Sequence, residues 1–240
     1  MNSTVKDINP QNTNYWDTVY ILGDFHIGNK NYRGDLLEKS LKKIYDDNFS
    51  KIIGMGDYCE FINEGTFKYE SQTMTPKKQF KEFKRLLKPF LDEKRIITLL
   101  KGNHEDRYFR KLDGLEDYCE DNNIDYNGRH HLFKWKQQYI YAHHPQSSAT
   151  TTAGRDRVFQ RMRNIQEADI YFSGHFHSLF QEQSYRYNKQ RELIPVYFAC
   201  TGSYLEYKNS YAELKLYSPN PMGCKKLKIK KKKIIIEDFV

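Results

Sequence analysis

The sequence predicts an α/β domain built on a mixed sheet or a pair of sheets. Five short apolar runs recur along the chain, each ending abruptly at polar residues: TVYILGDFH from Thr18, KIIGMGD from Lys51, RIITLLKGNHE from Arg95, QYIYAHHP from Gln138 and ADIYFSGHFH from Ala168. Each is long enough for a strand and too short for an isolated helix. Between the first three lie segments whose apolar residues recur at three- and four-residue spacing, as on one face of a helix. No linker and no repeat of fixed period divides the 240 residues, so a single core is expected.

A polar arm, residues 1–16, precedes the first run, and residues 17–240 are expected to form one domain with a β-rich C-terminal segment. GDLLEKSLKKIYDDNF, from Gly34, and TPKKQFKEFKRLLKPFLDE, from Thr75, read as amphipathic helices. Thr75 before Pro76 offers a cap with proline at the first helical position. AGRDRVFQRMRNIQEAD, from Ala153, reads as a third helix with its arginines in solvent. LFQEQSYRYN from Leu179, LIPVYFACTGSYLE from Leu193 and YAELKLYS from Tyr211 read as strands. In CKKLKIKKKKIIIEDFV, from Cys224, Leu227 and Ile229 alternate with lysines and Ile234 to Ile236 follow a polar break, which predicts a terminal hairpin with its lysines on the wet face.

Composition narrows the class. Only 38% of residues are hydrophobic, but 19 Tyr and 15 Phe each bury a large area, so a packed globule is expected and a disordered chain is excluded. The net charge of +8 admits a nucleic-acid partner, yet lysine and arginine are spread along the chain instead of being focused in one segment. No run approaches the length of a membrane span, and the N-terminus lacks a basic and an apolar segment in succession, so a cytoplasmic protein without a membrane partner is expected. Cys59, Cys119, Cys200 and Cys224 are widely separated, which fits reduced thiols and not a thiolate zinc site.

The chemistry gathers where the apolar runs stop. In open α/β sheets, sites form beyond the carboxyl ends of strands, where loops bring distant residues together. The first run delivers Asp24 and His26, the second Asp57, the third Asn103 and His104, the fourth His143 and His144, and the fifth His175 and His177. Six of the eight histidines fall at these ends, a coincidence that metal ligation explains and surface scatter does not. Nitrogen and oxygen donors without thiolate suit manganese, iron, zinc or cobalt. Asp24, His26, Asp57, Asn103, His143, His175 and His177 are too many donors for one tetrahedral ion, whereas two divalent ions sharing a carboxylate use them all. Such pairs clamp the attacking and leaving oxygens of a displacement at phosphorus.

In this order, GDFH, GMGDYCE, KGNHE, AHHP and SGHFH resemble the five signature blocks of the calcineurin-like metallophosphoesterase superfamily, over about residues 18 to 178. The resemblance implies a four-layer αββα sandwich: two mixed β-sheets flanked by helices, with the dinuclear site at the sheet edge. It places Asp24, His26, Asp57 and His177 on one metal, and Asp57, Asn103, His143 and His175 on the other. His143 and His144 compete for one slot. His143 is preferred because members with a His-x-Pro ending use the residue two before the proline, and His144 is then expected beside the substrate. His104 is implied as a catalytic residue, a general acid or stabiliser of transition-state charge, which with Asn103 faces the substrate. Glu60 stands where the protein phosphatases carry an aspartate paired to that histidine, and it is expected to orient His104. Phe61 replaces the phosphate-binding arginine of those phosphatases, which argues against protein-phosphatase activity. Arg107, Arg110, Arg155 and Arg157 lie close in sequence to the blocks and are candidates to replace it.

The function implied is hydrolysis of phosphate esters by a hydroxide bridging two metals. A nuclease or phosphodiesterase acting on DNA or RNA is the alternative, and a catalytically inactive, metal-stabilised binding module ranks third. The sequence sets no oligomeric state.

Overall fold

The computed structural model describes residues 6–8, 16–62, 71–108 and 114–240. Arg110 and most of the arm lie outside them. The first strand, β1 (Lys6–Ile8), belongs to that arm by sequence. The first three apolar runs form β2 (Asp17–Leu22), β3 (Lys51–Gly54) and β4 (Ile96–Leu99), parallel neighbours connected through α1 (Gly34–Asp46) and α2 (Pro76–Asp92). Two short helices follow, α3 (Glu105–Tyr108) and α4 (Gly114–Asp121). The second half contains β5 (His130–Trp135), β6 (Gln138–His143), α5 (Thr152–Ile165), β7 (Ile170–Ser173), β8 (Gln181–Tyr187), β9 (Leu193–Cys200), α6 (Tyr211–Leu214), β10 (Cys224–Lys230) and β11 (Lys233–Phe239).

Two mixed sheets result, one of five strands in the order β11-β10-β2-β3-β4 and one of six in the order β1-β5-β6-β7-β9-β8. Strand alternation sorts the apolar side chains into three layers of core. On β2, Val19 and Ile21 face the second sheet, where they join Ile53, Ile140, Phe172 and Leu227. Tyr20 and Leu22 face the opposite way, against Leu37, Leu41 and Ile44 of α1 and Phe83, Leu87 and Phe90 of α2. Tyr141 and Tyr171 meet Val158, Phe159 and Met162 of α5 on the outer side of the second sheet. Helix, sheet, sheet and helix therefore stack as four layers, the αββα sandwich. Each fully buried Leu, Ile or Phe contributes about 1.5–3 kcal/mol.

Several elements depart from the sequence reading. β5, HHLFKW, was not expected as a strand; it pairs antiparallel with β6, and β1 adds to its other edge in parallel. YAELKLYS forms α6 and not a strand. The Ser210 hydroxyl accepts the N–H groups of Ala212 and Glu213, and Tyr211, Leu214 and Leu216 are exposed, so a local cap starts a helical turn. Thr75 occupies the cap position of α2 in extended conformation, but its hydroxyl makes no capping bond. The terminal hairpin forms, and Lys226, Lys228 and Lys230 take its outer face as expected. Lys225 does not, because it shares the inner face with Leu227 and Ile229 and is fully buried. Its ammonium is held by Gln181 Oε1 at 3.0 Å and by the Asp238 carboxylate. All four cysteines are buried free thiols. No helix among the described residues is long and apolar enough to cross a membrane.

Candidate metal centre

The loops leaving β2, β3, β4, β6 and β7 meet at one end of the sandwich. Asp24, His26, Asp57, His175 and His177 all have positive φ, between 49° and 75°. For residues with a β-carbon this conformation costs on the order of 1–3 kcal/mol each, and it persists only where surroundings impose it. Here the imposition is visible in the backbone. Asp24 N–H donates to the Gly56 carbonyl at 2.9 Å and His26 N–H to the Asp57 carbonyl at 3.1 Å, locking the first loop to the second. Gly102 is required for the third loop to approach: a β-carbon there would lie 2.1 Å from Asp57 Oδ1.

Three triads of donor atoms form among the described residues, each within 4.8 Å: Asp24, His26 and His177; Asp57, His144 and His175; and His26, Glu60 and His104. Asp57 Oδ2 lies 3.3 Å from His144 Nε2 and 4.0 Å from His26 Nε2, so this one carboxylate reaches both. The Asn103 amide oxygen is 3.3 Å from His144 Nε2. In the first triad, His177 Nε2 sits 3.3 Å from Asp24 Oδ1 and 3.0 Å from His26 Nε2.

The donor set fits cations. His144 Nδ1 is 2.6 Å from the Met55 carbonyl, which can only accept, so Nδ1 carries the hydrogen there. A cation in place of the second proton would leave the Nε2 lone pair facing the oxygens of Asp57 and Asn103, three donors directed at one point. Burial would push the proton off His144, but Asp57 prevails and lifts it to about 9; the site calls for positive charge. His175 donates from Nε2 to the Ser147 carbonyl at 2.6 Å, and its Nδ1 is buried without a hydrogen-bond partner among the described residues. His26 likewise commits Nδ1 to the Glu60 carboxylate at 3.0 Å and turns Nε2 inward. Such outer partners fix the tautomer of a ligating histidine. Burial opposes ionisation of Asp24 and Asp57, yet His177 holds the first below the usual carboxylate range, and His104 and His144 hold the second well below it.

His143 is not brought to this group. Along β6, Ile140 and Ala142 face the core between the sheets, while Tyr141 faces the α5 side. His143 has the parity of Tyr141, and its ring lies 5.9 Å from that of His130, cross-strand on β5. Burial and the neighbouring His130 depress its pKa to about 4. The next residue, His144, turns inward and is fully buried. The two-residue period of a strand, a signal present in IYAHH, thus places His144 and not His143 beside the other donors. We expect His144→Ala to reduce bound metal, measured by elemental analysis of the purified protein, by more than half, and His143→Ala to leave it unchanged.

Glu60 reaches both His26 and His104. Its carboxylate binds His26 Nδ1 and the Asn29 amide, both at 3.0 Å, and lies 3.7 Å from His104 Nδ1. Although burial opposes it, the His26 hydrogen bond holds Glu60 at about 2. His104 is oriented instead by the backbone: its Nδ1 is 2.9 Å from the Glu60 carbonyl, and its own N–H donates to Asp57 Oδ1 at 2.8 Å. Burial lowers its pKa to about 4 against the pull of Asp57, so the ring is neutral with Nε2 3.9 Å from Asp57 Oδ2. Arg107, on α3, places Nη1 2.9 Å from His104 Nδ1 and is part-exposed at the rim. Arg155 lies over the Phe180 ring, and Arg157 is exposed on α5.

Glu105 is a residue that motif reading quotes without assigning it a role. Its buried carboxylate accepts the N–H groups of Asp57 and Tyr58 at 2.9 Å and of Gly102 at 2.8 Å. It therefore ties the loop bearing Asp57 to the loop bearing Asn103 and His104. Burial and the nearby Asp57 charge raise it to about 7 despite these donors. Cys59, in the same block, is fully buried with its thiol pushed well up by burial, which removes it as a nucleophile.

The family model of calcineurin-like phosphoesterases matches residues 18–179, from the start of β2 through the loop carrying His177. The chain belongs to the calcineurin-like phosphoesterase family. Similar solved structures include Vps29 complexed with zinc from Entamoeba histolytica, 16% identical at a TM-score of 0.49, covering 91% of this chain and 89% of that one. A predicted phosphoesterase from Streptococcus pneumoniae is 12% identical, with a TM-score of 0.45 and 93% and 90% of the two chains covered. The NAD nucleotidase of Haemophilus influenzae is 12% identical at a TM-score of 0.45, and this chain, covered to 93%, spans 49% of it. No curated protein matches the sequence.

Proposed function

We propose that the protein hydrolyses phosphate esters at a two-metal centre, with Asp24, His26, Asp57 and His177 holding one divalent ion and Asp57, Asn103, His144 and His175 the other. The observation that carries this reading is the reach of Asp57 Oδ2 to a histidine of each triad, 3.3 Å to His144 and 4.0 Å to His26. The nitrogen and oxygen donors suit manganese, iron, zinc or cobalt. When bound, such ions supply Lewis-acid polarisation of the phosphoryl group and lower the pKa of water toward neutrality.

The chain's own groups supply the rest. His104 lies at the lip of the centre, buried apart from its edge and held by the Glu60 carbonyl, where it serves the leaving oxygen or the charge developing on the phosphoryl group. Glu60 fixes the His26 ring, and Glu105 holds the Asp57 and Asn103 loops in register. The absence of an arginine at Phe61, which is buried against Tyr108, separates this site from that of the protein phosphatases.

The test is release of chromophore from a nitrophenyl phosphate monoester and diester. Activity is expected with added manganese, lost on chelation and restored by the metal. A sample shown to hold two ions per chain that turns over neither compound would overturn the proposal. Cleavage of single-stranded DNA that falls steeply with salt would place the substrate among nucleic acids.

A further inference from the structure

The six-stranded sheet ends on β8, and among the described residues no strand covers the outer edge of β8. Seven consecutive residues, Gln181 to Tyr187, pair with β9 in unbroken register, from Gln181 opposite Ala199 to Tyr187 opposite Leu193. A long, regular edge without proline, lysine or bulge is a template for another strand, and proteins normally blunt it. β1, at the opposite end of this sheet, has only three residues.

The direction of the unused backbone groups can be read from the ends of the ladder. Cys200 N–H donates to the Phe180 carbonyl, and Asn188 N–H to the Glu192 carbonyl, both in the register of the β8–β9 pair. In an antiparallel ladder the bonding residues alternate. The even-numbered residues of β8 therefore bond to β9, and Gln181, Gln183, Tyr185 and Tyr187 direct N–H and C=O groups outward.

An added strand that is a second copy of β8 must be related by a two-fold axis. When the axis passes through Ser184, Gln183 bonds with Tyr185 of the other copy and Gln181 with Tyr187, so every outward group is used. In the same register Glu182 faces Arg186 of the other copy, twice, at positions without backbone bonds, where side chains come closest. Shifting the axis by one residue either way breaks both charge pairs. Among the described residues Glu182 makes no ion pair, and burial and the Asp156 charge both raise its carboxyl above the usual range. Arg186 holds Glu167 and Asp169 of its own chain, which places its guanidinium on that same face. Tyr185 and Tyr187 are 54% and 71% exposed, an apolar cover for the join.

We propose that two copies of this protein associate through β8, antiparallel about Ser184, to form one continuous twelve-stranded sheet. Analytical ultracentrifugation of the full chain over a range of concentrations tests this. The wild type is expected to sediment at twice the chain mass at the upper concentrations. Gln183→Pro, which removes an outward N–H without touching the bonds to β9, is expected to be monomeric with an unchanged melting temperature. Glu182→Lys, which sets like charges opposite Arg186, is expected to weaken the dimer at least tenfold. A wild type that stays monomeric throughout would overturn the proposal, as would a folded Gln183→Pro or Glu182→Lys protein that dimerises like the wild type.

Discussion

Asp57→Asn is expected to abolish phosphate-ester hydrolysis and to release both metal ions while leaving the fold in place. Asp57 Oδ2 lies 3.3 Å from His144 and 4.0 Å from His26, a histidine of each proposed ligand set, and its Oδ1 also accepts the His104 N–H at 2.8 Å. Asparagine keeps an oxygen for that hydrogen bond and loses the charge that lets two cations share one ligand. Replacing an outer partner of a ligand costs about 10–100-fold in metal affinity, so loss of the shared ligand itself is expected to exceed roughly 100-fold. Elemental analysis after gel filtration reads the metal, and circular dichroism reads the fold. An Asp57→Asn protein that retains two ions would show that the carboxylate does not bridge.

His104→Ala is expected to lower turnover by about 10²–10⁴-fold with metal content unchanged. The ring is held by the backbone of Glu60, and it clusters with His26 and Glu60 and not with the two triads proposed to hold the ions. Its pKa of about 4 makes it neutral at physiological pH, so its removal deletes a hydrogen-bonding group and no net charge. A fall in KM alone, or loss of metal from the variant, would move His104 from a catalytic to a ligating or structural role. Together the two substitutions separate holding the centre from using it.

Much of the site is legible because a strand's end is legible. An apolar run that breaks at Gly-Asp, Gly-Asn-His or Gly-His marks where backbone leaves a sheet, and five such breaks in one chain point at a common edge. What that reading could not supply was the direction of a side chain once several polar residues followed one another. His143 and His144 differ in position by one residue and in outcome by a face of the sheet. Glu60 was assigned to His104 by its place in a motif, whereas the fold offers His26 a carboxylate and His104 a carbonyl from the same residue. The role of Glu105 is not legible in the motif that contains it, because two of its three N–H donors come from a loop 47 and 48 residues away in sequence.

The missed elements have similar causes. HHLFKW alternates, but its histidines and lysine hide the pattern until β1 and β6 flank it. YAELKLYS has strand-like alternation, and the Ser210 cap makes its first four residues a helical turn instead.

By itself, the order of apolar runs and polar breaks determined the α/β class, the family and the end of the sheets where the chemistry gathers, because hydrophobic periodicity and chain reversal are local properties. Only the tertiary structure decided that His144 and not His143 faces the centre, that Glu60 steadies His26, that Lys225 is buried and that β8 is left as an open edge. Each of these depends on which groups arrive from distant parts of the chain to compete for one donor, one acceptor or one face, and that competition has no counterpart in the linear sequence.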